Sequence, residues 1–274
     1  MENQNNIKDN ALKFSEKHRD YIRNYIKQQE IEKHKGNKVV CPICQSKFEK
    51  FAPYYPWKNE QNKALDAENV KCPNCSSLER HRLLWKYLND ETNLFSTQKK
   101  TLLEFAPYEF FFDVFSNHKS ITYLPCDLLP ESLKFIDYKG KILKEDITKL
   151  SFKDNSIEVI LCSHVLEHIV DDKLAMSELF RVMKKGGWGI FQVSIDYNRE
   201  ITYEDFSIIT SEGRKKAFGQ KDHVRWYGKD FKDRLSRAGF IVIEDLYVKK
   251  FSSEDIVKYG FDPNEIIYFC KKPS

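Results

Sequence analysis

The pattern of apolar and polar positions is most informative between Asp146 and Ser194, DITKLSFKDNSIEVILCSHVLEHIVDDKLAMSELFRVMKKGGWGIFQVS. Ile157, Val159, Ile160 and Leu161 are apolar without alternation, as in a strand covered on both faces, and the polar pair Ser163, His164 follows where such a strand should end. Ala175, Met176, Leu179, Phe180 and Met183 then fall on one helical face. Asp171 and Asp172 supply negative charge at the start of that helix, and Lys184 and Lys185 precede Gly186, which predicts a C-cap there. Gly189 to Val193 predicts a second buried strand. Strand, helix and strand in this order make a parallel α/β unit, whose ligands bind beyond the carboxyl ends of the strands.

The same pattern extends through most of the chain. TLLEFA, SITYLPC, GKILKE, SIEVILC, WGIFQVS, FIVIEDLYV and EIIYFC predict seven strands with helical stretches between most of them, the layout of a doubly wound α/β sheet in a domain spanning 99–274. Before it, residues 79–98 predict an amphipathic linking helix through Leu83, Leu84, Trp85 and Leu88. Residues 1–36 predict an N-terminal helix whose stripe of Phe14, Tyr21, Ile22, Tyr25 and Ile26 is expected to dock on the protein or on a second copy, giving an oligomer.

Composition narrows the class. The 274 residues are 41% hydrophobic, enough for one α/β domain with a small appendage. No apolar run approaches the ~18 residues of a membrane-spanning helix, and the polar opening lacks a signal-peptide core, so a soluble, cytoplasmic protein without membrane partners is expected. The net charge of +4 arises from 45 basic and 41 acidic residues, a mixed surface that does not favour nucleic acid as a partner.

Four of the seven cysteines form two knuckles, CPIC at Cys41 and Cys44 and CPNC at Cys72 and Cys75. Each knuckle presents two thiolates to one side of a cation, and two knuckles close a tetrahedral sulfur site with no open position, which is the chemistry of structural zinc. Residues 37–78 are therefore expected to be a small zinc ribbon. Its aromatics Phe48, Phe51, Tyr54, Tyr55 and Trp57 either pack the ribbon or stack on a ligand. Cys126, Cys162 and Cys270 lie in apolar strand-like runs and read as buried small hydrophobes.

The long run from Asp146 resembles the second half of a class I S-adenosylmethionine-dependent methyltransferase of type 11-like sequence, in which an acidic residue, an LPF-like turn, the DNSIEVI strand, HVLEH and RVMKKGG recur in this order. The CPxC ribbon, the following ERHR, the APYE turn and FGQKDHVRWYG resemble a bacterial subgroup of that family. The resemblance implies a Rossmann-like, seven-stranded mixed sheet whose final strand runs antiparallel, inserted beside its neighbours. It implies S-adenosyl-L-methionine as cofactor, with Glu104 as the first-motif acid, Asp127 and Leu128 at the ribose, Asp146 and Ile147 at the adenine, and Ser163 and His164 lining the pocket.

In one loop the chain departs from that pattern. The first turn of the family is glycine-rich because only bare backbone approaches the cofactor closely, whereas here it reads EFAPYEFFF, with Ala106, Tyr108 and Phe110 where those glycines would fall and Ala106 and Pro107 expected at the cofactor by resemblance. Methyl transfer is an in-line displacement on an activated carbon, so positioning carries most of the rate and a base is needed only for a protonated nucleophile. His168, with His223, Arg225 and Tyr227 in the long segment after the fifth strand, is the expected acceptor-side machinery. By resemblance the acceptor is a small polar molecule such as a sugar or glycan-related hydroxyl. An RNA methyltransferase using its ribbon on RNA, and a non-catalytic scaffold, are the alternatives.

Overall fold

The computed structural model describes residues 18, 21–54, 67–133 and 141–274. The chain forms two compact units, one of residues 1–85 and 251–263 and the other of residues 86–250 and 264–274. The sequence reading put 251–263 into the α/β domain. The structure assigns it to the cysteine-bearing unit, because its partners come from the other end of the chain and leave no periodic trace.

In chain order the elements are helix α1 (residues 21–33), β1 (Lys35–Val40), β2 (Lys47–Phe48), β3 (Ala52–Tyr54), β4 (Ala67–Lys71), α2 (Glu79–Asp90), β5 (Lys100–Phe105), α3 (Glu109–Asn117), β6 (Ile121–Asp127), β7 (Leu143–Lys144), β8 (Ile157–Ser163), α4 (Asp172–Val182), β9 (Met183–Gln192), β10 (Tyr203–Glu204), α5 (Ser211–Phe218), β11 (Arg225–Trp226), α6 (Phe231–Arg237), β12 (Ile241–Asp245), α7 (Ser253–Tyr259) and β13 (Ile267–Lys271). Among the described residues no helix is long and apolar enough to cross a membrane.

The second unit is built on a seven-stranded mixed sheet in the order β12-β13-β9-β8-β5-β6-β7. All neighbours from β9 to β7 are parallel, and β13 runs antiparallel between β9 and β12, as the resemblance implies. β8 has the burial of a central strand, with Ile157, Val159, Ile160, Leu161 and Cys162 each at most 2% exposed. Its core partners are Ala175, Met176, Leu179 and Val182 on α4, together with Phe191, Phe231 and Phe240. Each such side chain contributes about 1.5–3 kcal/mol by leaving water. Cys126, Cys162 and Cys270 are buried, as expected, and burial pushes their thiols up.

α4 begins as its sequence dictates. The Asp171 side chain caps it by accepting the Leu174 N–H at 2.9 Å. Its end differs from the expectation, because Met183 already adopts an extended conformation and opens β9. The residues opposite β8 jump from Met183 at Ile157 to Trp188 at Val159, so Lys184–Gly187 bulge out and Gly186 takes φ +72° within the strand rather than at a helix cap. Lys184 pairs with Glu158 across this bulge, an ion pair that favours the strand over another helical turn.

The first unit contains two short hairpins, β1–β2 and β3–β4. Phe48 and Phe51 are buried with Val39, Cys41 and Cys72 in its core, so these two aromatics pack the unit, while Tyr55 and Trp57 lie outside the described residues. Gly260 closes α7 with φ +59°, and a Cβ there would sit 2.7 Å from the Phe51 ring, so both the conformation and the close approach demand glycine. On α1, Tyr21, Ile22, Tyr25 and Ile26 are exposed, and Phe14 of the expected stripe lies outside the described residues.

Candidate active site and metal centre

The sheet order creates a switch point. β5 leads through α3 to β6 on one side, whereas β8 lies on its other side, so the strand order reverses at β5 and β8, and in open α/β sheets ligands bind beyond the carboxyl ends at such a point. Two non-glycine residues at those ends adopt left-handed backbone, Ala106 after β5 at φ +50° and His164 after β8 at φ +56°. Such a conformation costs an L-residue about 1–2 kcal/mol and survives where its surroundings enforce it. Ala106 is held by its N–H, which donates to the Cys126 carbonyl at 2.9 Å, and His164 by its N–H on the Gln192 carbonyl at 2.8 Å. The turn that lacks glycine thus reaches a glycine-like shape with alanine.

Glu104 supports that turn from beneath. It is 3% exposed, accepts the Tyr123 hydroxyl and the Tyr108 N–H, and burial pushes its carboxyl up to about 8 against those two hydrogen bonds. Glu104, expected at the cofactor, is buried under the turn and bonded to Tyr123 and Tyr108. Pro107 is buried beside it.

Carboxylates at the next two strand ends remain accessible. Asp127 at the end of β6 accepts the Leu129 N–H through Oδ1 at 2.7 Å, and Leu128 beside it is half exposed. Asp146, after β7, is exposed and accepts the Thr148 hydroxyl at 2.7 Å and N–H at 2.9 Å, bonds that hold its carboxyl below the usual range. The Ile147 side chain belongs to the core, which leaves only its backbone for a ligand. Ser163 is the last residue of β8, buried against β9.

The segment after β8 contains a buried acid that sequence reasoning passed over. Glu167 is 1% exposed, and its Oε1 lies 3.1 Å from His164 Nδ1 and accepts the Ser194 N–H at 3.2 Å. Burial opposes ionisation of Glu167, but the hydrogen bond and charge of His164, with the charge of His168, outweigh it and hold the carboxyl at about 2. His164 Nε2 and Glu167 Oε2 are shielded from water without a partner in the protein. The three-residue spacing in HVLEH was the available signal.

The long segment after β9 is strapped to this region. Val224 donates its N–H to the Glu167 carbonyl at 3.0 Å. Arg225, 1% exposed, donates to the carbonyls of Leu166, Ile169 and Val170 and to Glu204. Tyr227, fully buried, donates to Asp172 at 2.7 Å, and Arg234 donates to the same carboxylate twice. Expected to face the acceptor, Arg225 and Tyr227 instead have every polar atom engaged inside the fold, and they pin the segment. His168 is partly exposed, and its ring meets His223 edge-on at 4.7 Å. His223 is buried with Nδ1 3.2 Å from the Phe218 carbonyl, and its pKa is lowered by burial before any charge acts.

Residues 109–191 match the family model described as a methyltransferase domain. The matched stretch runs from α3 through β9 of the α/β unit. No curated protein matches the chain. Among solved structures, the chain is similar to an S-adenosylmethionine dependent methyltransferase from Mesorhizobium loti, at 13% identity over 69% of this chain and 98% of that one with a TM-score of 0.46. A SAM dependent methyltransferase from Archaeoglobus fulgidus is similar at 14% identity over 72% and 96%, with a TM-score of 0.45.

Outside the α/β unit, Cys41, Cys44, Cys72 and Cys75 converge. Their Sγ atoms approach to 3.6 Å in the pairs Cys41–Cys75 and Cys44–Cys72, near the ~3.8 Å edge of a tetrahedron with metal–sulfur bonds of about 2.3 Å. Four thiols this close cannot all ionise without a cation: hydrogen bonding with its neighbours pushes Cys44 down, while Cys72 and Cys75 are pushed up. The donor set fits zinc. Next to it, Arg82 is fully buried and its guanidinium donates, among the described residues, to the carbonyls of Val70, Ser77, Tyr259 and Gly260. Its nearest negative charges include Cys41, Cys72 and Cys75, which suits a cation that keeps the thiols ionised.

Proposed function

We propose that the chain transfers a methyl group from S-adenosylmethionine to the hydroxyl of a small polar acceptor, such as a sugar or glycan-related molecule. The observation that carries this reading is the His164–Glu167 pair at the switch point. A buried carboxylate fixes one imidazole nitrogen and leaves Nε2 for a proton, an arrangement suited to an O–H nucleophile.

Asp127 would accept the ribose hydroxyls, Asp146 and the Ile147 backbone would meet the adenine, and the left-handed backbone at Ala106 would admit the methionine part. When bound, the cofactor supplies a methyl group activated by its sulfonium. With the cofactor bound, His164 would take the acceptor's hydroxyl proton at Nε2, and Glu167 would stabilise the resulting imidazolium. The segment around His223 covers the acceptor side. The cysteine centre holds structural zinc in this reading.

Calorimetry with S-adenosylmethionine, followed by transfer of labelled methyl to pooled sugars and to RNA, tests the proposal. Micromolar cofactor binding that is lost in Asp127→Ala, with label in the sugar pool, is the expected result. Label in RNA, or no cofactor binding, overturns it.

A further inference from the structure

His168, Asp222 and His223 each bring one ligating atom to within 4.8 Å of the others, although nothing in methyl transfer requires them to converge. His168 Nδ1 lies 3.7 Å from Asp222 Oδ2, and the two imidazoles meet edge-on rather than stacked. We propose that these three residues bind a divalent transition-metal cation on the acceptor side of the active site.

Two imidazoles and one carboxylate are a donor set that holds Mn²⁺, Fe²⁺, Co²⁺ or Zn²⁺ on one face and leaves further positions open. His223 is already arranged as a ligand. It is 4% exposed, and its Nδ1 faces the Phe218 carbonyl at 3.2 Å, which fixes the tautomer and leaves Nε2 to the cation. Metal-bound nitrogen and oxygen atoms lie roughly 3–3.5 Å apart around bonds of about 2.0–2.2 Å, so the cluster must tighten. The two residues that must turn are the ones able to do so, because the side chains of His168 and Asp222 are 31% and 56% exposed.

The location gives the cation its use. The Val224 N–H on the Glu167 carbonyl holds the residue following His223 next to the His164–Glu167 pair. An acceptor with adjacent hydroxyls could therefore ligate the cation with one oxygen while presenting another to His164, a role that rests on the methyl-transfer reading above. The binding itself does not.

The test uses the full-length protein, with zinc content first measured to account for the four cysteines. Co²⁺ is then titrated while visible absorption and stoichiometry are followed, thiolate–cobalt bands reporting any exchange at the cysteines. One added equivalent with nitrogen/oxygen-type absorption is expected, weakened at least tenfold by Asp222→Asn and abolished by His223→Gln. Far-UV circular dichroism and thermal melts of the same samples show that the variants remain folded, and S-adenosylhomocysteine binding is measured beside them. The half-exposed Asp222 keeps the test meaningful even if His223→Gln unfolds. No added equivalent, or uptake that Asp222→Asn leaves unchanged, overturns the site. Loss of cofactor binding with cobalt uptake intact would instead sink only the methyl-transfer reading.

Discussion

His164 Nδ1 lies 3.1 Å from Oε1 of Glu167, a carboxylate that is 1% exposed yet held ionised. The pair places an oriented imidazole at the switch point of the sheet. Glu167→Gln removes the charge that orients and stabilises the ring. Its kcat is expected to fall about 10²-fold with little change in cofactor affinity, measured by steady-state kinetics beside calorimetry. A parallel loss of cofactor binding would make Glu167 a folding residue instead.

The same carboxylate makes stability depend on acid. Its folded pKa of about 2 lies below the roughly 4.3 of an unfolded chain, so its contribution is complete above that value and is lost as pH falls towards 2. The loss amounts to about 3 kcal/mol on the scale of 1.4 kcal/mol per pKa unit. Thermal melts between pH 5 and 2.5 should show a steeper decline for the wild type than for Glu167→Gln.

Glu104 has the opposite sign. Its folded pKa is raised to about 8, so the stability it provides is full below the unfolded value near 4.3 and drains away as pH rises through 8. Glu104→Gln keeps an acceptor for the Tyr108 N–H and a donor for the Tyr123 oxygen without the buried charge. It should exceed the wild type by on the order of 2 kcal/mol at pH 8.5, with the gap closing by pH 5 in denaturant titrations.

Ala106 tests the strained turn. Ala106→Gly removes a left-handed penalty of about 1–2 kcal/mol, offset by about 0.5–1 kcal/mol of added chain entropy in the unfolded state, so a small rise in Tm is expected. Ala106→Val should lower Tm by several degrees, since a β-branched residue suits this conformation least. Equal melting of all three proteins would show that the turn carries no strain.

Arg225 and Tyr227 hold the segment that carries His223. Arg225→Met removes the guanidinium shared by three carbonyls and leaves Glu204 only Arg234 as its cation, which should destabilise by about 3 kcal/mol, measured by urea denaturation. Stability close to wild type with turnover abolished would return Arg225 to the acceptor side.

Chelation addresses the cysteine centre. Removing the cation leaves four crowded thiols and the Arg82 guanidinium without countercharge. The first unit should lose its ordered structure on treatment with a strong chelator, seen as a loss of ellipticity that Zn²⁺ restores. Unchanged ellipticity in metal-free protein would exclude a structural cation.

By itself the sequence made the central strand, the start of its helix and the cysteine cluster legible. The uninterrupted apolar run at Ile157–Leu161 could only be a central strand, Asp171 could only start a helix, and two CPxC knuckles could only converge, because these signals come from neighbours within a few residues. The tertiary structure decided what distant residues do. Gly186 reads as a helix cap until β8 pulls Met183 into its ladder. Arg225 reads as a functional cation until three carbonyls and Glu204 surround it. Residues 251–263 read as part of the second unit until Arg82 meets the Tyr259 and Gly260 carbonyls. Whether a charged side chain faces a ligand or the interior depends on desolvation by residues far away in sequence, and burial of that kind leaves no mark on local periodicity. The glycine-free turn joins the two levels: its composition was plain in the sequence, but its left-handed shape at Ala106 came from the Cys126 carbonyl and the buried Glu104 beneath it.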